Sequence, residues 1–175
     1  MMTLEELVGR DARWLQPAAM KMEFELRVDD TVASTLRFRS SFGSFATAES
    51  AEGCWTFKRQ GFWQTRAVVR AAGEETDLAV FRNNTWTHGG TLELPAGRRF
   101  SANSNFWRTQ FGFTSEAGAP LVTYRNIGGI LHSSARVEVH TGIRDAGGLP
   151  WIVALGWYLT VMMRSDAASA AAAAG

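Results

Sequence analysis

The sequence predicts one mainly β domain: a closed antiparallel barrel of about twelve strands around a central apolar C-terminal helix, preceded by a short N-terminal helix. Three observations lead there. Short runs rich in aromatic and β-branched residues recur along most of the chain, with Gly, Pro, Asn or Asp between them. Their spacing leaves no room for crossover helices, so neighbouring strands must be antiparallel. The stretch from Trp151 to Met163 carries no charge on any side and reads as a buried helix.

Taken in order, Thr3 with Glu6 three positions on forms a capping box that starts a helix. Leu4, Leu7, Val8 and Leu15 fall roughly at helical spacing and Pro17 stops the run, so residues 1–18 are predicted as an N-terminal helical segment. From Met20 the period changes to two. Met20, Met22, Phe24, Leu26 and Val28 alternate with Lys21, Glu23, Glu25 and Arg27, a strand with one wet and one dry face. Asp29-Asp30 turns the chain into a second strand over 35–39. Further strands are predicted over 44–49, 54–59, 62–70, 76–81, 85–87, 91–94, 98–103, 106–114, 121–125 and 131–140. Asn83-Asn84, Gly89-Gly90, Gly118-Ala119-Pro120 and Gly128-Gly129 are read among the turns between them.

After Gly147-Gly148, Pro150 suits the first turn of a helix over 150–164, which the barrel of residues 19–166 would enclose. The apolar part rises about 20 Å at roughly 1.5 Å per residue, short of the roughly 20 residues that a membrane span needs. Placed along the axis, it fills a lumen too wide for side chains alone, and an open carrier of the lipocalin type is disfavoured. A membrane anchor over 151–163 is the alternative. The Ala-rich tail, 167–175, is predicted to fray as a helical extension or to be disordered.

Composition narrows the functions. The formal charge of +1 removes the overall basic excess that favours nucleic acid, so an anion-binding surface must be a local patch. The single cysteine, Cys54, excludes an internal disulfide and suits a reducing, cytoplasmic setting. The first residues lack the basic and apolar regions of a secretory signal. Arginine outnumbers lysine sixteen to two, a bias without functional weight.

The strand run from Met20, together with the ending Leu149-Pro150-Trp151-Ile152-Val153-Ala154-Leu155-Gly156-Trp157-Tyr158-Leu159, resembles the tubby C-terminal-like superfamily, which includes tubby domains, LURP-one-related proteins and phospholipid scramblases. That resemblance implies a closed barrel around a central apolar helix, and business with membrane lipid: phosphoinositide head groups for tubby domains, lipid movement and calcium for scramblases. The chain departs from those patterns. It has no acidic loop with calcium-binding spacing, no cysteine-rich palmitoylation segment and no lysine cluster matching a phosphoinositide site, so no family site residue carries over.

Side chains that could carry chemistry are few. His88, His132 and His140 do not make a metal site, since the last two lie about 26 Å apart at roughly 3.3 Å per residue on one predicted strand. Cys54, beside Trp55, has no base at a fixed spacing and reads as an inert thiol. Nucleophile elbow, Walker loop and dinucleotide fingerprint are all missing. The basic pairs are Lys58-Arg59, Arg66 with Arg70, and Arg98-Arg99. Arg66, Arg70, Arg98 and Arg99 would form an anion-binding surface if their strands meet, and solvated charge otherwise. Phe62-Trp63 and Phe106-Trp107 should each turn one ring outward.

The expectation is therefore a non-enzymatic tubby-like barrel, cytoplasmic and peripheral at the membrane, binding anionic lipid head groups or a protein partner on its surface, with no cofactor and no nucleic acid. The alternatives are an enzyme or small-ligand barrel with a site at one rim, and a scramblase-like membrane-associated protein.

Overall fold

The computed structural model describes residues 1–41, 43–61, 66–84, 89–105, 107–128 and 132–174. The predicted strand over 85–87, His88, the pair Phe62-Trp63 and Phe106 lie outside the described residues.

The capping box forms: the Thr3 hydroxyl accepts from the Glu6 N–H, and the Glu6 carboxylate accepts from the Thr3 N–H at 2.7 Å. It starts a helix of four residues only, α1 (Leu4–Leu7). Gly9, at φ +74°, turns the chain, and Ala12–Leu15 is a strand, β1, with Ala12 and Trp14 buried and Arg13 exposed. The helical segment expected to reach Leu15 therefore ends at Leu7. Leu15 belongs to a period of two, and the barrel cannot close without this strand.

Eleven more strands follow: β2 (Glu23–Val28), β3 (Thr31–Phe38), β4 (Ala46–Ser50), β5 (Gly53–Gln60), β6 (Arg66–Ala71), β7 (Asp77–Asn84), β8 (Gly89–Glu93), β9 (Arg99–Ser104), β10 (Phe111–Thr114), β11 (Pro120–Gly128) and β12 (Ser134–Val139). Each pairs antiparallel with the next in sequence, and β1 pairs with β12, Trp14 opposite Ala135, to give the closed twelve-stranded barrel. Closure leaves no unpaired edge. The alternation read from Met20 holds from Phe24, where Phe24, Leu26 and Val28 are buried; Met20 sits in the preceding turn, 92% exposed. Gly89 and Gly90 lie inside β8 opposite Asn84 and Asn83 and do not form a turn. Glycine is required at position 90, where a Cβ would stand 2.3 Å from the Phe81 ring.

A one-turn helix, α2 (Gly142–Asp145), leads to the central helix α3 (Ile152–Ala174), which is buried continuously from Ile152 to Met162. The inward alternating side chains of the wall close on it. Trp157 stacks on Trp14 with centroids 6.1 Å apart and meets Phe24 edge-on at 5.7 Å. Tyr158 stacks on Phe38, and its hydroxyl donates to the Ser44 carbonyl at 2.7 Å. From β11, Tyr124 presses against the helix at Gly156, and its hydroxyl donates to the Val153 carbonyl at 2.6 Å.

α3 continues beyond residue 164 to Ala174, the helical one of the two readings of the Ala-rich tail, because alanine is the best helix former and nothing there breaks the run. Where it leaves the barrel it is pinned twice. Arg164 donates to the Gly128 carbonyl at the end of β11, and Asp166 takes a bidentate pair from Arg59, at 2.6 and 3.0 Å. Among the described residues, no helix is long and apolar enough to cross a membrane.

Candidate functional site

The strands are not equally charged. β5–β9 carry six basic residues, Lys58, Arg59, Arg66, Arg70, Arg82 and Arg99, against two acidic ones, Asp77 and Glu93. The other seven strands hold five basic and four acidic residues and nearly cancel. A nearly neutral chain thus places its basic excess on one wall.

Register determines which of these groups meet. Outward from the turn at 72–76, Val69 faces Ala79, Ala67 faces Phe81, and Arg66 faces Arg82. Two guanidinium-bearing residues therefore stand directly opposite, both exposed, where like charges oppose sheet formation by a few tenths of a kcal/mol to about 1 kcal/mol. Among the described residues Arg66 has a single weak partner, the Gln60 side-chain oxygen at 3.3 Å. Arg82 pairs with Glu93 at 2.9 Å, and the same carboxylate lies 3.7 Å from Arg99. Arg66, Arg82 and Arg99 thus form a row across the wall, with one carboxylate among them.

The remaining predicted residues lie apart from that row. Arg70 is at the far end of β6 and is held by Asp77 at 2.6 Å. Arg98 sits at the barrel end opposite the exit of α3; it donates to the Ala146 carbonyl and lies over the Phe100 ring at 5.6 Å, a capping role for that end. Arg59 turns to α3, where the Asp166 carboxylate raises its pKa further. Arg82 was missed because it lies on the next strand, and the register shift between Val69 and Arg70 means that counting pairs outward from the turn would set Phe81, not Arg82, opposite Arg66.

Other chemistry is sparse among the described residues. His132 and His140 flank β12 at opposite ends, and no three metal-binding side chains gather. His132 Nδ1 is 2.8 Å from the Gln16 carbonyl. His140 Nε2 is 2.9 Å from the Thr123 hydroxyl, and Glu138 lies 3.8 Å from its Nδ1, beside a groove of about 450 Å³. That row has the order of a hydroxyl, a base and an orienting carboxylate, yet the carboxylate stands beyond hydrogen-bond distance and is shared with Arg125 at 3.7 Å. Cys54 is half-buried, and burial, then the charge of Glu49, pushes its thiol pKa up, which weakens it as a nucleophile.

Trp107 is 78% exposed, in the connection that precedes β10. Comparison of the chain with protein-family models, with curated proteins and with solved structures gives no match.

Proposed function

We propose that this chain is a non-enzymatic, tubby-like barrel that binds anionic lipid head groups on the outer wall of β5–β9, acting at the surface of a membrane. The observation that carries the proposal is the opposed pair Arg66 and Arg82 with Arg99 beyond it and only Glu93 between. An arrangement that costs stability in the free protein gains it back when an anion sits between the guanidinium groups. The closed barrel around an apolar helix supports the tubby-like reading of the chain.

The test is co-sedimentation of detergent-free protein with vesicles containing phosphatidylglycerol and with neutral vesicles, at low and at physiological salt. Binding is expected to anionic vesicles only, and it should weaken with salt as the Debye length shrinks to about 8 Å. Each basic residue near an anionic surface contributes about 1 kcal/mol. Changing Arg66 and Arg82 together to Gln should therefore cost about 2 kcal/mol, roughly a thirtyfold loss of vesicle affinity. No binding at low salt would sink the lipid reading and leave an acidic protein as the partner for this wall.

A further inference from the structure

The backbone of α3 does not approach the whole wall equally; it comes nearest to β3, β10 and β11. Near its exit, the wall presents the small side chain of Ala67, and a slot remains between the helix and the barrel. Phe81, Phe111, Leu159, Met162 and Met163 make its apolar body, and Arg66 stands at its mouth with Asn83 and the Arg59–Asp166 pair. Its free volume is about 40 Å³. That exceeds the roughly 10–15 Å³ a single water needs and is too little for a whole alkyl chain. Two of its walls are methionines, unbranched side chains that re-pack readily around a guest.

A site with an apolar throat and a cationic lip selects a ligand of matching polarity. Asp166 is already spent on Arg59, with two hydrogen bonds between them. Arg66 retains donors, since its one partner among the described residues is an amide oxygen at 3.3 Å, and Arg82 reinforces its charge from the next strand. We infer that this slot binds one alkyl chain of an anionic amphiphile, the head group on Arg66 and the chain end between the two methionines and Phe81. The inference rests on the lipid-binding reading of the same wall and adds that the ligand is held by its chain as well as its head. The chain could belong to a free fatty acid or to a lipid still in a membrane; the chemistry is common to both.

The experiment titrates the intact protein, without vesicles, with decanoate below its micellar concentration, following heat. Decanol and acetate serve as the uncharged and the chainless controls. Decanoate is expected to bind, acetate not to bind, and decanol to bind more weakly. Arg66→Gln, an exposed change that spares the core, should weaken decanoate about tenfold or more, the loss of a charge-assisted hydrogen bond, and leave decanol unchanged. Ala67→Leu, which fills the slot, should weaken both; its melting temperature establishes that it folds. In vesicle sedimentation, a loss caused by Ala67→Leu identifies the chain as one taken from the membrane, and an unchanged result identifies a free amphiphile. Absence of decanoate binding to the folded wild type, or equal affinity in the wild type and both variants, overturns the inference. Vesicle binding that persists in either case leaves the head-group reading standing.

Discussion

Gly156 lies in the middle of a buried helix, where helix propensity alone says alanine should improve the protein by about 0.8–1 kcal/mol. The structure predicts the opposite sign. A Cβ at 156 would stand 2.3 Å from the Tyr124 hydroxyl oxygen and 2.5 and 2.6 Å from two of its ring carbons, distances at which something must move. Tyr124 is fully buried on β11, flanked by Phe111 at 5.8 Å, and cannot swing into solvent. Gly156→Ala must therefore push the ring off the helix. Overpacking a core costs about 1–3 kcal/mol, and the displaced hydroxyl, which now donates to Val153, loses its partner in a dry site for about another 1–3 kcal/mol. Setting the propensity gain against these terms leaves a net loss of about 3 kcal/mol. In a chain of this size each kcal/mol moves the melting temperature by about 2–4 °C, so a fall of roughly 6–12 °C is expected. Thermal and urea unfolding measure it. In a Tyr124→Val background the ring is gone and the same Gly156→Ala change should become neutral or stabilising, a coupling that a double-mutant cycle isolates. A wild-type background in which Gly156→Ala is neutral or stabilising would refute the close approach of β11 to α3.

Trp14 and Trp157 stack in the core, and among the described residues neither indole N–H has a hydrogen-bond partner. Trp14→Phe removes an unsatisfied donor along with apolar area, so it should cost less than about 1 kcal/mol by urea unfolding, against about 2–5 kcal/mol for Leu26→Ala on the adjacent strand; similar costs for both would show that the indole nitrogen has a partner. The Cys54 thiol, with its pKa raised by burial, should react with iodoacetamide more slowly than free cysteine at pH 8 and gain rate as pH rises further, because only the thiolate attacks. A rate equal to that of free cysteine at pH 8 would contradict the burial.

How much of this was legible in the sequence depended on whether the information was local. The central helix could be read because thirteen consecutive residues without charge leave only burial as an explanation. Strands such as β2 and β5 could be read because alternation is a property of neighbours along the chain. β1 could not, since four residues, Ala-Arg-Trp-Leu, fit a helical stripe as well as a strand, and only closure against β12 decides between them. The same limit applies to the site. Arg66 was visible as a basic residue on a strand; its juxtaposition with Arg82 depends on register, and the fate of Arg70 and Arg98 depends on Asp77 and the Ala146 carbonyl, contacts that composition does not reveal. The throat beside Met162 was hidden altogether, because it arises from where the helix leans.

The order of the elements has a consequence for how the protein is made in a cell. All twelve strands precede the helix they surround, and β1 pairs with β12, so Trp14 waits more than a hundred residues for Ala135 and longer still for Trp157. During synthesis the ribosome releases one hairpin after another, each with an apolar face and an open edge, before their common filling has emerged. Folding must therefore wait until α3 has emerged, and it is completed in a step that brings distant segments together and is slow for that reason. Until then the nascent sheet is the species that chaperones have to shelter, and a chain cut short before Met162 would lack the one element around which the rest can close.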